Sequence, residues 1–136
     1  MAAYFELMFT SEFSADAEPT EIAQIIRVSR AKNVAASLTG LLMFDGARFC
    51  QHIEGPEAVV RATINRIAAD PRHVQFTQLH EGSNGHAGRF QAWQIGILTP
   101  DGPSPLQAFN AMRGPAAVDH LLAIFRERQK FGMHVV

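Results

Sequence analysis

Three uncharged hydrogen-bonding side chains stand where the surrounding pattern calls for apolar ones. Gln51 lies in an alternating stretch in which Phe49, Gln51 and Ile53 share one face, and Cys50, His52 and Glu54 share the other. Ser29 and Asn33 follow Ile22 by seven and eleven residues, continuing the helical stripe of Ile22, Ile25 and Ile26. An amide on a core face must find partners, because a buried unpaired one costs about 1–3 kcal/mol. Each residue has a local explanation: Gln51 tied to backbone, Ser29 bonded to a helix carbonyl, Asn33 capping the helix. The alternative is that the three converge on an apolar gap. That gap suits a flat, largely apolar ligand with amide-like edges, of flavin or nucleobase character.

Other chemistry is missing from the sequence. There is no phosphate loop or dinucleotide glycine fingerprint; Gly82, Gly85 and Gly88 recur by three but do not join a strand to a helix. Six histidines are scattered without zinc spacing, and the one cysteine, Cys50, reads as a small core residue. His52 reads as a surface or second-face strand residue. No nucleophile elbow occurs, and no acid–base pair faces the gap. The 136 residues carry a net charge of -1 and no basic block, against broad electrostatic binding of nucleic acid. A 47% hydrophobic content supports one domain with a core. No run is long enough to cross a membrane and no secretory pattern opens the chain, so a cytoplasmic location is expected.

The elements that must position these residues can be read in order. Residues 3–10 alternate as a strand, with Phe5, Leu7 and Phe9 on one face and Tyr4, Glu6, Met8 and Thr10 on the other. Residues 11–19 read as a loop, after which Pro19 and Glu21 suit a helix start. Asp45 and Gly46 mark a hairpin turn between two strands within 37–55. A second helix follows Pro56, with Val59, Val60, Ile64 and Ile67 on its apolar side, and stops at Asp70 and Pro71. Residues 74–79 form a fourth strand and 81–88 a glycine-rich, mobile loop. Residues 92–98 form a fifth strand with Trp93, Ile95 and Ile97 on one face. Two short helices are expected near 105–112 and 115–128, the last with Leu121, Leu122 and Phe125 on its apolar side. The order predicts an α+β, ferredoxin-like βαββαβ-type core with an added strand. The mixed five-stranded sheet then carries two helices on one face and C-terminal helices besides.

These residues resemble the BLUF domain, the blue-light sensor that uses flavin. The likeness rests on SRAKN (29–33), LTGLL (38–42), FCQHIEG (49–55), DPRH (70–73) and FQAW (90–93), taken together and in order. It implies a flavin, FAD with FMN as the alternative, between the first two helices, with Asn33 and Gln51 bonded to the polar edge of its ring. Ser29, Arg30 and His73 match positions lining the pocket. It divides the chain into a flavin-binding unit, 1–98, and a helical extension, 99–136, packing on the sheet or on a partner. Homo-oligomerisation and signalling to a downstream protein are implied as well, and an enzyme is not.

One departure stands out. The family carries a tyrosine two residues before a serine, where this chain has Phe9 before Ser11. In the family that tyrosine gives an electron and a proton to the excited flavin, and the glutamine amide then rearranges. Phe9 has no hydroxyl to do so, and the only other candidate, Tyr4, has the opposite strand parity. Ile95 replaces a methionine common after the tryptophan. The expectation is a flavin-binding photoreceptor module whose photocycle is impaired at Phe9, with Gln51 and Trp93 as the remaining photocycle residues. The alternative is a non-photoactive structural or interaction domain of the same fold.

Overall fold

The computed structural model describes residues 4–83, 88–99 and 102–128, and the backbone of 129–131 and 134–135. The elements are β1 (Phe5–Phe13), α1 (Thr20–Ala35), β2 (Thr39–Phe44), β3 (Arg48–Gly55), α2 (Glu57–Ala68), β4 (His73–Ser83) and β5 (Trp93–Ile97). A 3-10 helix (Pro105–Ala111), α3 (Pro115–Phe131) and the two-residue β6 (His134–Val135) follow. The strand order is β4-β1-β3-β2-β5-β6. All neighbours are antiparallel except β2 and β5, which run parallel. The sheet is therefore mixed, and the five expected strands are all present, with β6 added at the β5 edge.

Local chemistry explains the key turns. Asp45 Oδ1 accepts from the backbone N–H groups of Ala47 (3.0 Å) and Arg48 (2.7 Å), while Gly46 takes φ 101°, closing the β2–β3 hairpin where Asp-Gly predicts it. α1 begins with the Glu21 carboxylate accepting from the Glu18 N–H at 2.8 Å. It ends past Asn33, whose carbonyl accepts from the Leu38 N–H at 2.9 Å. Asn33 is thus inside the helix and is not its cap, and its side chain is only 1% exposed.

The sheet is covered on both faces, and alternation along each strand sorts residues between two cores. Phe5, Leu7, Phe9, Phe49, Ile53 and Ile95 pack with Ile25 of α1 and Val60 and Ile64 of α2. Met8, Leu41, Met43 and Cys50 face the other way and pack with Leu106, Phe109, Leu121, Leu122 and Phe125. Several boundaries differ from the expectation. β1 runs on to Phe13 rather than yielding to a loop at Ser11, because Ser11 and Glu12 still pair with Phe49 and Arg48. β4 likewise continues to Ser83 by pairing with Phe5. The rest of the expected glycine loop, 84–87, lies outside the described residues. The last helix is not short but spans 17 residues.

Candidate functional site

A cleft of about 340 Å³ opens between α1 and α2 over the sheet. Ile25, Val28, Ser29 and Lys32 line it from α1, and Gln51 forms its floor from β3. Arg66, Ile67, Ala69, Asp70, Arg72 and His73 line it from the end of α2 and the start of β4. Its lining mixes the apolar Ile25, Val28 and Ile67 with the cations Lys32, Arg66 and Arg72 and the Asp70 carboxylate.

Gln51 is 2% exposed, and its Oε1 is buried with no hydrogen-bond partner among the described residues. The register explains the orphan oxygen. Gln51 pairs directly with Phe9 on one side and with Leu42 on the other, so both cross-strand neighbours are hydrocarbon. Phe9 is fully buried and stacks on Phe76, with ring centroids 4.6 Å apart. Asn33 Nδ2 donates to Ser29 Oγ at 3.3 Å, which joins the two polar groups of the α1 stripe. Ser29 and Gln51 line the cleft, and Asn33 is buried one turn beyond Ser29. Arg30, although half-buried, is not among the lining residues.

His73 closes one end. Its Nδ1 lies 2.8 Å from Ser11 Oγ, both groups buried, and its ring packs against Phe49. Burial holds the imidazole below its ordinary range, with Asp70 opposing the shift and Arg72 adding to it. Asp70 and Arg72 form a two-pronged pair, Nε at 3.1 Å and Nη2 at 2.7 Å. The guanidinium hydrogen bonds lower the Asp70 carboxyl, and Asp70 in turn raises Arg72. Trp93 lies in the core on the cleft side of the sheet, 6% exposed, with its indole Nε1 buried and without a partner among the described residues.

The reverse face holds a site that the sequence reading passed over. Glu6, His52 and Glu54, expected on an outer or second face, are 3%, 0% and 0% exposed. Arg89 Nε donates to Glu6 Oε1 at 3.0 Å, and His80 Nε2 lies 2.8 Å from Glu6 Oε2. Burial pushes the Glu6 carboxyl up, but the hydrogen bonds from Arg89 and His80, with the nearby His52 and Arg89 charges, hold it below its usual range. His52 Nε2 is 3.3 Å from Glu54 Oε1 at an angle that makes no hydrogen bond. The signal available was the apolar stripe of the tail, which has to cover this face.

The lining suits a flavin ring: a buried amide oxygen without a partner among the described residues, the Ser29 hydroxyl, apolar side chains and cations. The comparisons bear on the family. A family model described as sensors of blue light using FAD matches residues 4–96. The blue light- and temperature-regulated antirepressor BluF of Escherichia coli (strain K12) is 32% identical over 73 residues, covering 54% of this chain and 18% of that protein. The photoactivated adenylate cyclase subunit beta of Euglena gracilis is 31% identical over 74 residues, covering 54% of this chain and 9% of that protein. The match thus spans less than a fifth of either curated relative. Among solved structures, the dark state of BlrB, a BLUF protein, superposes with a TM-score of 0.71 at 29% identity, covering 89% of this chain and 93% of that one. The photo-activated state of BlsA shares the fold, with a TM-score of 0.64 at 23% identity, covering 72% of this chain and 71% of that one. With a family match over residues 4–96 and a cleft of this chemistry, the chain belongs to the BLUF family, flavin-binding sensory modules that respond to blue light.

Proposed function

We propose that this chain binds FAD in the α1–α2 cleft and that Phe9 denies it the ordinary photocycle of its family. The observation that carries this reading is the buried Gln51 Oε1 on the cleft floor, without a partner among the described residues and paired with Phe9 across the β1–β3 ladder. A bound flavin supplies blue-light absorption and an electron acceptor. Asn33 and Gln51 would bond the polar edge of the ring, with Ser29, Arg30 and His73 around it. Ile25 and Ile67 would exclude water from its apolar side. Lys32 and Arg66 among the lining residues suit phosphate, the Arg72 charge being met by Asp70, and two cations would serve the diphosphate of FAD better than the single phosphate of FMN. Phe9 keeps the ring volume of a tyrosine but neither orients the Gln51 amide nor yields a proton. Trp93 remains as an electron donor on the same side of the sheet.

Residues 1–98 then form the flavin-binding unit and 99–136 its extension. The chain acts without catalysis of its own, in the cytoplasm, as a homo-oligomer that hands its state to a downstream signalling protein. The other reading, a structural or interaction domain that has kept the BLUF fold, draws on the same Phe9. Titrating flavin-free protein with FAD and with FMN separates them. Uptake of FAD more tightly than FMN supports the proposal; absence of uptake of either leaves only the interaction domain.

A further inference from the structure

The Trp93 side chain makes no hydrogen bond: its Nε1 is buried and unpartnered among the described residues, and Gly40 lies beneath its ring. A Cβ on Gly40 would overlap the His52 carbonyl and come within 3.0 Å of the indole Cζ3, so the bare backbone is what lets the ring settle. The position of the indole is therefore set by the backbone on either side of it. On the C-terminal side that is the parallel ladder to β2, beginning at the Gly40–Trp93 pair. On the N-terminal side it is the segment 88–92, which belongs to no strand.

We propose that Glu54 is a positioning residue for Trp93, pinning segment 88–90 from the reverse face of the sheet. Glu54 lies three residues past Gln51 on the opposite face of β3, and its side chain is fully buried. Its Oε2 accepts from the Arg89 backbone N–H at 2.5 Å, and its Oε1 accepts from the Phe90 N–H at 3.2 Å. Two successive amides on one carboxylate fix both the place and the direction of the peptide. Gly88 completes the fit, because a Cβ there would overlap Glu54 Oε2. The pinned segment also meets the tail. Arg89 Nη1 lies 3.5 Å from Asp119 Oδ1, and the Phe90 ring packs edge-on to Phe125 at 6.2 Å. One carboxylate thus places the entry to the Trp93 strand and its contact with α3. The bearing of this on light sensing rests on the reading that Trp93 belongs to the flavin site; the positioning itself does not.

Trp93 is the only tryptophan in the chain, so intrinsic fluorescence reports on it alone. The test uses the flavin-free 136-residue chain, so a failure to bind flavin would overturn the proposed function and leave this inference standing. Glu54→Gln keeps the volume but turns one acceptor into a donor facing an N–H. It is expected to red-shift Trp93 emission and raise its acrylamide quenching. Gly88→Ala, which keeps the carboxylate and displaces the segment, should do the same. Leu106→Ala, a core truncation on the other face of the sheet beside Arg48, should lower the melting temperature without moving the emission, which separates positioning from stability. In the unaltered protein the Arg89 and Phe90 amides should exchange at least ~10-fold more slowly than unprotected ones. Unchanged Trp93 emission and quenching in whichever variants fold, or unprotected Arg89 and Phe90 amides, would overturn the assignment.

Discussion

Replacing Phe9 with tyrosine restores the hydroxyl that Gln51 lacks. The ring is fully buried and already stacked on Phe76, and Phe9 is the direct cross-strand partner of Gln51, so the new oxygen is expected within reach of the Gln51 amide. One term favours it in the flavin-free protein: an orphan oxygen costing about 1–3 kcal/mol gains a donor. Against it stands overpacking, typically about 1–3 kcal/mol for atoms added to a filled core. The cleft beside Gln51 holds open space, which places the strain at the low end and leaves net stabilisation of about 1 kcal/mol. For a domain of this length that is a rise of roughly 4 °C in Tm. Urea unfolding of Phe9→Tyr and of the parent protein, both flavin-free, measures it. A loss of more than about 1 kcal/mol would show that the hydroxyl finds no partner, since an unsatisfied buried group costs that much or more. The second readout is optical. FAD-loaded Phe9→Tyr should show a reversible red shift of the flavin band under blue light, and the parent should show none. A reversible shift in the parent would refute the assignment of Phe9 to the redox position.

Further outcomes follow from the same geometry. Asn33→Ala should weaken FAD binding by about 1–3 kcal/mol, the cost of an unmet buried amide contact, read by absorbance titration at fixed ionic strength. His73, held below the ordinary 6.5 by burial, stays neutral in the folded chain while the unfolded chain takes up a proton. Stability should therefore fall as pH drops below 6.5 toward that lower value and be indifferent to this group above it; a His73→Gln variant whose urea midpoint keeps the same slope there would contradict this. Asp70, whose carboxyl the Arg72 hydrogen bonds lower, adds a separate loss only as pH falls through the carboxylate range. Leu121→Ala, at a site 1% exposed beneath the sheet, should cost about 2–5 kcal/mol of unfolding free energy. A cost below about 1 kcal/mol would mean that α3 is not packed on the sheet as described.

The parts of the fold set by local chemistry were legible in the sequence. Asp45 and Gly46 announce a turn that their φ and side-chain bonds deliver, and the alternation in β1 and β3 separates the two faces correctly. Gln51 was legible as an anomaly because it breaks an apolar alternation, and the register then supplies the reason its oxygen has no partner. Strand ends were not legible, because the pairing of Ser11 with Phe49 and of Ser83 with Phe5 depends on the partner strand rather than on residue type. Asn33 as a helix cap was a sound local inference overridden by tertiary packing, which carries α1 on to Ala35. The Glu6, Glu54 and Arg89 cluster was illegible for a different reason. Glu6 and Glu54 on a strand face read as solvated, and only the tail folding over them, with α3 beginning some sixty residues after Glu54, turns that face into a core.

β3 serves two separate interiors with alternate residues, Gln51 toward the cleft, Cys50, His52 and Glu54 toward the tail. That makes its length, more than any one of its side chains, intolerant of change. A single inserted or deleted residue between Phe49 and Gly55 would send every following side chain to the opposite face. An insertion beside Gln51 would put the Glu54 carboxylate among hydrocarbon and carry Ile53 into the ion cluster, damaging both interiors at once. Substitutions in this strand can be absorbed one face at a time, whereas insertions and deletions cannot. Length variation that leaves both interiors intact has its place instead at the exposed Asp45–Gly46 turn, where a Cβ on Gly46 would meet nothing within 4 Å.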